Sequence, residues 1–200
     1  MTSTPRDNTI SSPLKGKRIV LGVCGAIAAY KAAEVTSRLH KAGAEVRVIM
    51  TRSSLRFVGE LTFETLSHNP VITRLFSRGG DWDPQHVALA RQTDAVVVAP
   101  VTANMLAKMA CGIADDALST ALLTSTCPVF VAPAMNTRMW AHPATVHNRK
   151  LLAERGVVFI GPDSGPLACR DEEGPGRMTE PVSILAELER HFAHGKSETH

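Results

Sequence analysis

Arg-Ile-Val-Leu-Gly-Val-Cys-Gly-Ala-Ile-Ala-Ala-Tyr-Lys, residues 18 to 31, is a short apolar run that ends in glycine and passes directly into a helical pattern. The run Arg18 to Val23 predicts a strand, and the pattern from Ala26 to about Lys41 predicts a helix. On that helix Ala28, Ala32, Val35 and Leu39 share one face, while Lys31, Glu34 and Arg38 point elsewhere. Ala42-Gly43 ends the helix, and Glu45 to Met50 is a second strand. Further short runs rich in Val or Ile, at Asp94 to Ala99, Val129 to Ala132 and Val157 to Ile160, suit strands buried on both faces of a parallel sheet. Amphipathic segments alternate with them at Leu55 to Leu66, Thr102 to Leu123 (broken near Gly112), Pro143 to Glu154 and Pro181 to Phe192. Strand–helix alternation of this kind predicts an α/β protein, a three-layer αβα sandwich around a Rossmann-like parallel sheet. Ligands of such sheets sit at the carboxyl ends of the strands.

The 200 residues, 44% of them hydrophobic, suffice for one domain with a substantial core, placed at residues 17–194. Met1 to Gly16 is polar, is interrupted by Pro5 and Pro13, and lacks the apolar centre of a signal peptide. It is expected to be a disordered tail on a cytoplasmic protein, and residues 195–200 are expected to form a C-terminal tail. A net charge of +3 and 4% aromatic content give no basis for a nucleic-acid partner. No apolar stretch reaches membrane-spanning length, so no membrane partner is expected. Cysteines 24, 111, 127 and 169 form no Cys-x-x-Cys pair, which argues against a metal site.

The turn after the first strand, Gly22-Val-Cys-Gly-Ala-Ile-Ala, suits a phosphate, because glycine admits close approach and the next helix offers free N–H groups. A dinucleotide site wants Gly-x-Gly-x-x-Gly and a carboxylate ending the second strand. Here the spacing is Gly22-x-x-Gly25-x-x-Ala28, and the second strand ends in Thr51-Arg52-Ser53-Ser54. Hydroxyls and a cation in that place favour a mononucleotide such as FMN over NAD. A second group of small residues, beginning Pro100-Val-Thr-Ala-Asn, stands at the end of the third clear strand, where it can pass close to a flat ring. Thr102 there also reads as a plain helix N-cap.

Pro-Ala-Met-Asn-Thr-Arg-Met-Trp (Pro133 to Trp140) places an uncharged carboxamide, Asn136, after an apolar strand. Gly-Pro-Leu-Ala-Cys (Gly165 to Cys169) and Gly-Pro-Gly-Arg-Met (Gly174 to Met178) follow, so a flexible flap over about 165–178 would carry the thiol of Cys169. A neutral anion-binder combined with a mobile thiol suits decarboxylation of a cysteine derivative. Taken singly, Asn136 would be a helix N-cap and Cys169 a core thiol.

These motifs, with His86 opening His-Val-Ala-Leu-Ala and with Thr-Ala-Asn-x-x-Ala-Lys-Met-Ala-x-Gly-x-Ala-Asp-Asp, resemble the homo-oligomeric flavin-containing cysteine decarboxylases. Among these the chain looks most like the phosphopantothenoylcysteine decarboxylases of coenzyme A biosynthesis, from about Lys17 to Pro181. The resemblance implies an FMN-dependent carboxy-lyase acting on 4′-phosphopantothenoylcysteine, a phosphorylated cysteine conjugate, and assembling as a homotrimer or a multiple of trimers up to a dodecamer. It implies catalytic roles for His86, Asn136 and Cys169, with Asn136 and Met139 holding substrate. FMN contacts would fall on Cys24, Gly25, Ala26, Ile27, Thr51, Ser53, Phe57, Val101, Thr102, Ala103, Asn104 and Ala134. Cys24 replaces a frequent serine and is expected to be a weaker donor to the phosphate. Arg170 stands where glycine is usual in the family. A peptidyl-cysteine decarboxylase of the lanthipeptide type would stop at the ene-thiol and needs no Cys169. A non-catalytic regulatory relative would need none of the three catalytic residues. A flavin prenyltransferase would share the first turn but lack Pro-Ala-Met-Asn.

Overall fold

The computed structural model describes residues 12–75, 92–167 and 173–194. Five strands, β1 (Arg18–Val23), β2 (Glu45–Met50), β3 (Ala95–Val101), β4 (Val129–Pro133) and β5 (Val158–Phe159), form a parallel sheet in the order β2-β1-β3-β4-β5. The helices are α1 (Ala29–Lys41), α2 (Glu60–Ser67), α3 (Ala103–Cys111), α4 (Ala117–Thr124), α5 (Thr137–Ala141), α6 (Pro143–Glu154) and α7 (Pro181–His194). Strand side chains alternate between two cores. Ile19, Leu21, Val23, Val97 and Phe130 pack with Leu39 of α1, Phe63 of α2 and Ile184 of α7. Val20, Val96, Val98 and Val131 pack with Leu106 of α3, Leu118 of α4 and Leu152 of α6. Strands buried on both faces lose the polar alternation of a half-exposed sheet, which explains the continuous apolar runs. The three-layer αβα sandwich is thus the observed architecture.

Several boundaries move for local reasons. The segment Thr102 to Leu123 is broken at Gly112, as expected, where the glycine takes the left-handed conformation (φ +71°) and donates its N–H to Lys108 O. Asp116 then caps α4, its carboxylate accepting from Ser119 N while the Ser119 hydroxyl accepts from Asp116 N. The expected helix Leu55 to Leu66 becomes a 3-10 turn at Ser54–Arg56 followed by α2, with Gly59 at the break. Helix α1 starts at Ala29, three residues later than expected. Gly22 admits α4 close to β1, since a Cβ there would lie 2.5 Å from Leu118 Cδ1.

One expectation needs correction, and two features add to what the sequence offers. Residues 12–16 do not belong to a disordered tail: Leu14 is a fully buried core residue, Ser12 Oγ donates to Glu189 at 2.8 Å, and Gly16 N–H donates to Gly43 O. Residues 1–11 and 195–200 lie outside the described residues. Lys31, which lies off the apolar face of α1, is nevertheless only 8% exposed, drawn inward by acceptors distant in sequence. The glycine-rich flap is, where described, an antiparallel ribbon of β6 (Asp163–Pro166) and β7 (Glu173–Arg177).

Lys108 binds Asp115 at 2.5 Å and Asp116 at 2.6 Å. Burial pushes the Asp116 carboxyl up, but the Lys108 ammonium and the Ser119 N–H outweigh it and hold it below the ordinary carboxylate range. A depressed carboxylate stabilises the fold above its unfolded pKa and loses that contribution as pH falls through the folded value. Asp116→Asn keeps the cap, because Asn caps about as well as Asp. It should therefore lower stability at pH 7 by about 1 kcal/mol, the scale of a partly exposed pair. The gap between variant and parent should begin to narrow below about pH 4 and vanish once pH has fallen through the depressed folded value, as chemical denaturation at several pH values will show.

Candidate active site

From β1 the chain crosses to β2 on one side and later returns to β3 on the other, so the carboxyl ends of β1 and β3 flank the switch point of the sheet. The turn after β1 is held across that gap, with Cys24 N–H donating to Pro100 O at 3.2 Å. Ala26 N–H donates to Cys24 O at 3.0 Å. The N–H groups of Gly25, Ile27 and Ala28 meet no backbone carbonyl among the described residues, and no side chain caps α1. Unpaired donors at the positive end of a 13-residue helix form a cradle for an anion. Such a donor set fits a phosphate monoester.

Gly25 is required by protein packing. A Cβ there would lie 2.5 Å from Ser53 Cβ and 2.9 Å from the Ser53 carbonyl carbon. That contact sets the turn after β2 beside the cradle and leaves Ser53 exposed. Thr51 looks inward, its N–H donating to Val23 O at 3.0 Å and its hydroxyl to the same oxygen at 3.4 Å. Gly25→Ala must displace backbone, so it should weaken FMN retention at least tenfold while the parent retains its flavin. Flavin absorbance after dialysis measures this.

The Cys24 side chain faces the interior of the fold. It is 1% exposed, and burial pushes its thiol up to about 12 against hydrogen bonds with Thr102. With its N–H engaged as well, Cys24 braces the β1 turn against the end of β3. Thr102 in turn caps α3, accepting from Met105 N at 3.3 Å. Val101 is fully buried and its carbonyl accepts from Ala134 N at 3.0 Å, joining the ends of β3 and β4. Ala103 is half-buried and Asn104 exposed.

Asn136 caps α5, its carboxamide oxygen accepting from Arg138 N at 2.7 Å. The Arg149 guanidinium lies 3.7 Å from the Trp140 ring centroid and seats α5 on α6. Met135 N–H donates to Gly176 O at 3.0 Å, laying β7 against the end of β4. A Cβ on Gly176 would meet Met135 O at 2.2 Å. Between α1, the β4 end and the ribbon lies a cavity of about 310 Å³, lined by Ala26, Ile27, Lys31, Ala134, Asn136, Leu167 and Arg177 among others. Met139, expected to hold substrate, is 48% exposed on α5 and is not among the lining residues. His86, Cys169 and Arg170 lie outside the described residues. Motif reading missed Lys31 and Arg177 as lining groups, although both belong to quoted motifs. Thr51, Ser53, Phe57 and Val101 to Asn104 are not among the residues that line the cavity.

A larger cavity, about 490 Å³, lies at the amino ends of β4 and β5. Its cations are already engaged, Lys108 by two aspartates and Arg155 by Ala110 O at 2.8 Å. Among the described residues no group of three His, Cys, Asp or Glu side chains could hold a metal ion, and no helix is long and apolar enough to cross a membrane.

An anion cradle at the switch point of an open parallel sheet, with no carboxylate at the end of β2, defines a mononucleotide-binding α/β protein. Residues 7–192 match the Flavoprotein family model, and the chain belongs to that family. It is 52% identical over 174 residues to the coenzyme A biosynthesis bifunctional protein of Mycolicibacterium smegmatis, covering 86% of this chain and 41% of that protein. The chain therefore spans about two fifths of the length of that relative. A PPC decarboxylase variant complexed with pantothenoylaminoethenethiol superposes with a TM-score of 0.78 at 32% identity, covering 90% of this chain and 100% of that one. The FMN-dependent cysteine decarboxylase SpaF gives 0.72 at 30% identity, covering 88% of this chain and 99% of that one.

Proposed function

We propose that this chain is an FMN-dependent phosphopantothenoylcysteine decarboxylase, converting 4′-phosphopantothenoylcysteine to 4′-phosphopantetheine. The observation that carries the reading is the cavity in which Asn136 stands between the anion cradle and the β6–β7 ribbon. The named structural neighbours and the bifunctional relative support the same chemistry.

The cradle of Gly25, Ile27 and Ala28 would hold the FMN phosphate, with Ser53 beside it. When bound, FMN supplies reversible two-electron chemistry at the C–S end of the substrate. Removing two electrons and two protons from the cysteinyl CH₂–SH gives a thioaldehyde, whose thiocarbonyl accepts the electron pair left when the C–CO₂ bond breaks. The ene-thiol so formed takes back a hydride equivalent and a proton, and the overall reaction is redox-neutral. Asn136 holds the carboxylate through its amide NH₂. A neutral donor is preferable to a cation, which would stabilise the charged ground state more than a transition state that is losing that charge. His86 serves as base or orienting group in the oxidation, and Cys169 delivers the final proton.

Ile27, Tyr30, Phe57 and Leu61 are 59%, 62%, 49% and 74% exposed along the cradle and its α2 side. An apolar border of this kind fits closure by a second copy of the chain, as trimers or as a dodecamer of four trimers, in a cytoplasmic enzyme. Light scattering of the active species tests the assembly, and a strictly monomeric active form would refute it. Incubating purified, flavin-loaded protein with 4′-phosphopantothenoylcysteine tests the function. Mass spectrometry should show loss of CO₂ to the saturated thiol. An ene-thiol end product, or turnover only of a peptide ending in cysteine, would move the assignment to peptidyl-cysteine decarboxylation.

A further inference from the structure

Glu180, in the connection from β7 to α7, stands where two walls of the cavity meet. From α1, the helix whose amino end forms the cradle, Lys31 Nζ donates to Glu180 Oε1 at 2.8 Å and to Met178 O at 3.3 Å. From the ribbon, Arg177 Nη2 donates to the same carboxylate oxygen. Lys31 and Arg177 both line the cavity and donate to the same oxygen, so two cations would stand side by side in its wall without that carboxylate. Lys31 is 8% exposed, and a buried ammonium deprived of its partner is costly. The neighbouring Thr179 hydroxyl donates to Asp163 Oδ1 at 2.9 Å, so the other ribbon strand is secured from the same connection.

We propose that Glu180 is a positioning residue, a clamp that fastens the β6–β7 ribbon to helix α1 and so sets the width of the cavity between the cradle and Asn136. Its catalytic consequence rests on the decarboxylase reading; its mechanical consequence does not. The ribbon strands bracket the segment containing Cys169 in the sequence, so a loosened clamp should affect the reductive half of the reaction more than the oxidative half.

The test uses the full, FMN-loaded chain with Glu180→Gln, which keeps the shape and removes the charge, and Glu180→Asp, which restores the charge. In the Gln variant, amide exchange in β6 and β7 should quicken at least tenfold while flavin content stays at the parent level. KM for 4′-phosphopantothenoylcysteine should rise more than fivefold, and part of the product should escape as the ene-thiol. Glu180→Asp should restore most of each change. Should Glu180→Gln fail to fold, Arg177→Gln removes the ribbon arm alone and should give the same exchange signature. Parent-like exchange and product ratio in the folded variant would overturn the clamp, as would equal loosening of every element. If the parent itself fails to turn over this substrate, the decarboxylase reading falls, and the exchange measurement still decides the clamp.

Discussion

Asn136→Asp should lower kcat/KM on the order of a thousandfold while leaving the fold and the flavin content unchanged. The two halves of that expectation come from different ends of one side chain. The carboxamide oxygen accepts from Arg138 N at 2.7 Å as the N-cap of α5, and aspartate caps a helix as well as asparagine. The substitution therefore keeps the cap and replaces the NH₂ donor with a second negative charge opposite the substrate carboxylate. A hydrogen bond to a charged group contributes about 1.5–3 kcal/mol. Two like charges near 4 Å apart repel by about 4 kcal/mol at the effective dielectric of a partly exposed site. Either effect is large against the 1.4 kcal/mol that corresponds to tenfold in rate. Steady-state kinetics with a parallel thermal melt checks both halves. Parent-like turnover would reduce Asn136 to a helix cap.

The parts of this molecule legible in the sequence are those whose determinants are local. Pro143 to Glu154 forms a helix over the expected residues because Pro143 occupies a first-turn position after the His142 cap. The turn after β1 could be read because Gly22 and Gly25 sit beside a helix start, although their packing partners, Leu118 and Ser53, are distant in sequence. The ribbon was not legible as strands. Asp-Ser-Gly-Pro and Glu-Gly-Pro-Gly-Arg are built from residues poor in strand propensity, and Gly165, Gly174 and Gly176 adopt φ of +152°, +148° and +146°. Its pairing depends on the contact with Met135, which no local pattern encodes. The burial of Lys31 is not legible for the same reason. A long basic side chain follows its acceptors, and these lie 147 and 149 residues further on. The burial of Cys24 depends on Thr102, 78 residues further on, and a thiol held away from water stays neutral there.

Cys169→Ala should separate the two halves of the proposed reaction. The variant should still oxidise the substrate and release CO₂, because neither step calls on an acid at the end of the sequence. It should then stall before 4′-phosphopantetheine, leaving the flavin bleached and an ene-thiol two hydrogens short of the normal product. His86→Asn should behave oppositely, with neither flavin bleaching nor CO₂ release. The contrast follows from the order of bond changes: the thiocarbonyl must exist before CO₂ can leave, and the ene-thiol must exist before its carbon can take a proton. Single-turnover absorbance near the flavin maximum, read alongside product mass, distinguishes these outcomes. If Cys169→Ala yields the saturated thiol at the parent rate, another group delivers the proton. The site would then need an acid elsewhere, and the peptidyl-cysteine alternative would lose the residue that most sharply separates it from the coenzyme A reading.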